Sequence, residues 1–188
     1  MSDRITFLNS SLTDMQATIR AIDVKVAALL VALLTPLPNL HRVFKHLIHF
    51  NNHSPIVLGY TVGFLFLLFW FLSFFALARS VSAIDNPSRH IMNGSGLSGA
   101  YFLGGLYPFK FLDSFLNRSI IMANRDPVTV AAALPATIVE IEAELVFEQM
   151  KLAYIRDIKM NRLFWGLVLA LLWLLLGIAI YLYNKFGM

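Results

Sequence analysis

Apolar residues along this chain gather into three long runs and two helical stripes. The cleanest run is IVLGYTVGFLFLLFWFLSFFALA, residues 56–78, which carries no charge. The run LFWGLVLALLWLLLGIAIYLY, residues 163–183, is equally uncharged, with Trp165, Tyr181 and Tyr183 near its ends. A helix needs about 20 apolar residues to cross the hydrocarbon core of a bilayer, and aromatic side chains favour its boundaries. Both runs predict transmembrane helices. A third run, residues 24–40, is 17 residues long and holds Thr35, Pro36 and Pro38. Proline removes a backbone donor and clashes with the preceding turn, at about 3 kcal/mol inside a helix. This helix is expected to kink or end near Thr35, with Pro36 and Pro38 as a hinge. In lipid, the carbonyls so freed need a partner.

The stripes flank these runs. Leu12, Met15, Ile19, Ile22, Val26 and Leu29 recur at the spacing of one helix face. Ser11 is a candidate N-cap, with Asp14 three residues later. Residues 1–23 therefore predict an amphipathic helix leading into the first run. Towards the C-terminus, Leu134, Ile138, Ile141, Leu145, Leu152 and Ile155 form a second stripe, broken by Glu148. Pro127 suits a helix start, Pro135 a bend or restart, and from about 136 the helix is expected to run unbroken into the third run. The two stripes should pack on each other. Residues 79–105 contain Asp-Asn-Pro and a Gly/Ser cluster, which read as a loop. YPFKFLDSFLNRSIIMAN, residues 107–124, reads as a short amphipathic helix.

Composition and charge turn this pattern into a fold class. The 188 residues are 58% hydrophobic and 14% charged, with mean hydropathy +0.69. Soluble domains sit nearer half apolar and a quarter charged. The expectation is an all-α membrane protein. Arg4 and Arg20 precede the first run, Lys25 stands at its mouth, and nine Lys or Arg residues lie between 79 and 162. Only Arg42, Lys45 and Lys185 fall on the other side, and every Asp and Glu lies with the larger group. The bias of Lys and Arg toward the cytoplasm then gives three transmembrane helices (24–40, 56–78, 163–183). It gives a cytoplasmic N-terminus (1–23) and cytoplasmic helical region (79–162), an external loop (41–55) and an external tail (184–188). Cysteine is absent, which excludes disulfides and thiol chemistry, and the first residues do not read as a secretory signal.

The candidate sites are few. His46, His49 and His53 fall on one face if residues 41–53 are helical, a spacing that suits zinc or copper, but no carboxylate or thiolate lies on that side to complete the set. Gly59 and Gly63 form a GxxxG pattern, and Gly166 and Ala170 repeat the small-residue spacing; both suit close helix packing, between copies or within one. Glu140 and Glu144, one turn apart, read as a solvated helix face. No catalytic set or phosphate-binding loop is recognisable, so no enzyme activity, bound cofactor or nucleic-acid partner is expected. Asp23 and Lys25 stand at the mouth of the first run, while Arg156, Lys159 and Arg162 end the second stripe before the third. Helices lying side by side would bring Asp23 to the basic group. The five residues would then be either a pinning pair with snorkelling cations or a net-positive ring able to receive phosphate.

RAIDVKVAALLVALL, GLSGAYFLGGLYPF and IEAELVFEQMKLAYIRDIKMNRLFWGLVLALLWL together resemble the transmembrane effectors of Pycsar antiphage systems. The resemblance covers about residues 15–183 and includes the Asp-x-Lys entry at Asp23 and Lys25, and Lys159 before the last run. Pro36 and Pro38 depart from the family pattern. The resemblance implies a multi-pass protein of the bacterial inner membrane, encoded beside a pyrimidine nucleotide cyclase that need not touch it. It implies activation by a cyclic pyrimidine mononucleotide such as cyclic CMP or cyclic UMP. Assembly with copies of itself in the bilayer and abortive infection through membrane damage would follow. The alternatives are a non-toxic accessory or structural subunit of a membrane complex, or a small channel.

Overall fold

A computed structural model describes residues 3–82, 87, 123, 124 and 126–186. The described residues are helical and contain no strand. The elements are α1 (Asp3–Leu34), a 3-10 turn (Leu37–Asn39), α2 (Leu40–His53), α3 (Ile56–Val81), α4 (Pro127–Ala132) and α5 (Ile138–Phe186). Two helices, α3 and α5, are long and apolar enough to cross a membrane. The loop over 79–105 and the helix over 107–124 fall almost wholly outside the described residues.

The chain divides into two units, Met1–Thr18 with Ile84–Arg156, and Ile19–Ala83 with Asp157–Met188. α1 and α5 contribute to both. In the first unit these helices run parallel: Arg4 Nη1 meets Glu142 at 3.1 Å, and Gln149 Nε2 donates to Ser11 Oγ at 2.8 Å. Ser11 is therefore not an N-cap. The helix begins at Asp3 because Ile5 and Leu8 carry the apolar stripe upstream of Leu12, and all three are buried. α4 starts at Pro127, with Asp126 Oδ1 accepting from Thr129 N at 3.0 Å. α5 restarts past Pro135. Glu140 accepts from Ala136 N and Thr137 N, and Thr137 Oγ1 accepts from Glu140 N at 3.3 Å. That reciprocal arrangement is a capping box.

In the second unit α3 runs antiparallel to α5. Ser80 Oγ donates to Lys159 O at 3.3 Å, Ser73 Oγ donates to Gly166 O at 2.8 Å, and the Phe66 and Trp173 rings lie 5.7 Å apart. These partners recur every seven residues on both helices, the period at which left-handed helix packing keeps one seam in contact. Small residues let the backbones close. A Cβ added at Gly166 would come within 2.7 Å of Leu77 Cγ, and Leu77 is fully buried. Ile22, Val26, Leu33, Leu77 and Leu163 form the core of this seam, with Ala170 packed beside it.

The run 24–40 breaks near Thr35, where its prolines are expected to end the helix. α1 ends at Leu34 because Pro36 and Pro38 cannot supply the next backbone donors. The freed carbonyls are satisfied within the protein: Trp70 Nε1 donates to Leu33 O at 3.0 Å, and Thr35 Oγ1 donates to Ala32 O at 2.6 Å. The expected external loop, 41–55, is mostly helical. α2 presents Val43, Leu47 and Phe50 to Phe66 and Ile180, a stripe that gives an otherwise polar segment a buried face.

Candidate functional site

The residues proposed as a ring are placed differently from one another. Asp23, on the face of α1 that follows Ile19 and Ile22, accepts from Lys159 Nζ at 2.5 Å. The Lys159 side chain is 8% exposed and that of Asp23 39%, so the cation is the desolvated partner and the carboxylate still meets solvent. Lys159 is held a second time through its backbone, by Ser80. Arg162 Nη1 donates to Arg79 O at 2.7 Å, and Ser82 Oγ donates to the same carbonyl at 2.9 Å. That carbonyl is among the last of α3, where orphaned C=O groups and the negative end of the helix dipole favour a cation. One level of the second unit thus joins α1, α3 and α5 through Asp23, Lys159, Ser80, Arg79 and Arg162.

The remaining members are not part of this joint. Lys25 is exposed and forms no ion pair among the described residues, while Arg156 belongs to the first unit, half-buried and engaged. Arg79 and Ser80 were not expected in the site. The signal was present in the sequence as the point where α3 loses its apolar run, since a helix end beside a basic helix invites cation-to-carbonyl contacts. Chemically, the joint sets the Asp23 carboxylate against Lys159, with the Arg162 guanidinium on the Arg79 carbonyl and Asp157 two residues before Lys159 on α5. An incoming phosphate would compete with Asp23 for Lys159 in a charge-assisted hydrogen bond.

The other candidates resolve as follows. His49 and His53 stack with ring centroids 4.2 Å apart, and His53 Nδ1 donates to His49 O at 2.9 Å. His46 instead meets Tyr181 edge-on at 6.2 Å. No group of three metal-ligating side chains occurs among the described residues. Gly59 closes on Asn51 of α2 and on Ser54 just after it, and Gly166 on Leu77, both within this chain, whereas Gly63 has open space beside it. Pro36 is half-buried and Pro38 exposed at the break after α1.

The first unit corrects the solvated reading of the acidic face. Glu140 is exposed and caps α5, but Glu144 is buried and Glu148 is 1% exposed. Glu144, Glu148 and Lys151 interleave with Leu145 and Leu152 on one face of α5, so burying the leucines buries the charges. Glu148 accepts from Lys151 Nζ, and Lys151 also lies 4.7 Å from the centre of the Phe147 ring. Burial pushes the Glu148 carboxyl up, the Lys151 hydrogen bond and charge pull it back only in part, and Glu144 pushes it further up. Hydrogen bonds to Thr129 hold Asp126 below the usual carboxylate range, and backbone donors at Ala136 and Thr137 do the same for Glu140.

No protein family, curated protein or solved structure matches this chain.

Proposed function

We propose that this protein is a nucleotide-activated membrane effector of bacterial antiphage defence, held at rest by the Asp23–Lys159 pair. The membrane part of the reading is supported by α3 and α5, whose most apolar stretches are each only 17% buried inside the protein. The core helix of a soluble protein would be mostly covered. The distribution of Lys and Arg supports a cytoplasmic N-terminus and an external C-terminus. The third crossing is residues 24–40, the end of α1 with the 3-10 turn, and the carbonyls freed at its break are covered by Trp70 and Thr35. The site is the inner membrane, and copies of the chain act together there.

The observation that carries the switch is the pairing of Asp23 with Lys159 beside surplus cations. A cyclic pyrimidine mononucleotide, supplied by a separate cyclase, offers a phosphate to Lys159 and Arg162 and displaces Asp23. It shifts the population only by as much as it prefers the separated state. Freed from α5, α1 repacks about its break at Pro36, and the assembly leaks. The test is dye release from liposomes carrying the full chain, with and without cyclic CMP or cyclic UMP. Wild type should leak only with nucleotide, and Asp23→Ala should leak without it. No release under any condition, or identical behaviour of wild type, Asp23→Ala and Lys159→Ala, sinks the reading.

A further inference from the structure

A basic groove lies in the second unit between α2 and the last turns of α5, 26 residues beyond Lys159 along α5. That separation is about 39 Å of helix, so the groove is distinct from the Asp23 joint. It encloses about 490 Å³, and Arg42, Lys45 and Lys185 supply its positive charge. Its walls are set by uncharged contacts. Asn184 Nδ2 donates to His46 O at 2.8 Å, which fixes the amide and turns its Oδ1 toward His49 Nδ1 at 3.1 Å. His49 therefore carries its proton on Nδ1, and the two helices are tied without using any of the three cations.

The charge is not balanced from within. The sequence has no Asp or Glu between residues 24 and 84 and none after Asp157. The second unit thus has only Asp23 and Asp157, both at its far end. Lys185 Nζ rests 5.5 Å from the centre of the Phe186 ring, a weak contact beside an anion. Three exposed cations brought into one groove repel each other unless an anion joins them. Tyr181 lines the groove and is exposed, and Leu182 and Phe186 on the same last turns of α5 are exposed as well. A cationic groove bordered by exposed apolar residues matches a phosphate attached to an acyl chain.

We infer that this groove binds a phosphate-bearing anion, presented in the membrane as the headgroup of an acidic phospholipid. The lipid form rests on the membrane reading above, whereas the anion site does not. The experiment uses the full chain purified in detergent. Native mass spectrometry counts retained lipid after exposure to an equimolar mixture of phosphatidylglycerol and phosphatidylcholine. Separately, the delipidated protein is melted in sodium phosphate and in sodium chloride at matched ionic strength.

Wild type should retain phosphatidylglycerol over phosphatidylcholine by a factor on the order of a hundred, about fivefold per cation. Arg42→Gln/Lys45→Gln/Lys185→Gln should lose that preference. All three residues are exposed, and an unchanged helical circular dichroism spectrum confirms that the variant folds. Lys45→Gln alone, with a partial loss, serves if the triple variant does not. Stabilisation by inorganic phosphate that the triple variant lacks, without lipid preference, places the anion's source in solution and keeps the site. Absence of both effects in wild type, or either effect surviving intact in the triple variant, overturns the proposal.

Discussion

The two units bury polar groups by opposite means, although α1 and α5 serve both. In the first, charges are buried outright: Glu148 and Lys151 sit on adjacent turns of α5, with Glu144 nearby. In the second, the buried polar groups of the apolar helices are neutral hydroxyls. Ser73 and Ser80 donate to carbonyls of α5, and the Asp23–Lys159 ion pair sits where the apolar run begins. A charge at the centre of a bilayer costs about 2.5–3.5 kcal/mol on insertion scales, whereas a hydroxyl can spend its one donor on a carbonyl that is already in a helix. The contrast teaches that α5 changes its burial chemistry along its length, and that Asp23–Lys159 stands at the change.

The largest effect should come from breaking the charge balance in the first unit asymmetrically. Lys151→Met leaves Glu148 buried without its cation and beside Glu144. At neutral pH it should cost about 3–5 kcal/mol, the range for an orphaned buried charge. Glu148→Gln should cost less than Lys151→Met, because the glutamine oxygen can still accept from Lys151 and the folded state already disfavours the charged form of that carboxyl. The sign with pH follows. A carboxyl whose folded pKa is raised contributes stability below its unfolded pKa and loses it as pH rises through the folded one. The deficit of Lys151→Met should therefore shrink on acidification as Glu148 takes up a proton. Denaturant melts from neutral to acid pH measure it, and a deficit that does not change with pH refutes it.

Next in size is the pair at the change-over. Asp23→Ala strands Lys159, which is almost wholly buried, and should cost about 2 kcal/mol, less than a fully buried pair because Asp23 is partly solvated. Lys159→Met should cost less than Asp23→Ala, since the carboxylate left behind can hydrate. Equal losses in melts of the two variants would mean that the desolvated partner has been misidentified.

These two regions also differ in how far the sequence alone reveals them. The apolar runs of α3 and α5, the continuity of α5 and the end of α1 before Pro36 all followed from local composition and proline chemistry. The Asp23–Lys159 contact followed from placing two helix stripes side by side. What stayed hidden depended on tertiary placement. Ser11–Asp14 and Thr137–Glu140 have similar cap-like spacing, yet only Thr137 caps a helix. The apolar positions Ile5 and Leu8 continue upstream of Ser11, whereas Pro135 interrupts the chain before Thr137. The burial of Glu144 and Glu148 was illegible because a charged residue on a leucine face is solvated unless something covers it. Residues 41–55 looked like a loop because histidines and asparagines mask the stripe of Val43, Leu47 and Phe50.

The smallest effects probe the seam that lets hydroxyls replace charges. Gly166→Ala forces a methyl group against the buried Leu77 and should destabilise by about 1–2 kcal/mol. Gly63→Ala meets nothing within 4 Å and should stabilise slightly, by about 0.5–1 kcal/mol from helix propensity alone. The opposite signs matter more than the sizes, because both positions belong to small-residue patterns that look alike in the sequence. If Gly63→Ala also destabilises, or if it alone changes the subunit number seen by cross-linking, then the open space beside Gly63 is filled by another copy of the chain. In that case the two glycine patterns divide the work: Gly166 closes the seam within one subunit, and Gly63 closes one between subunits.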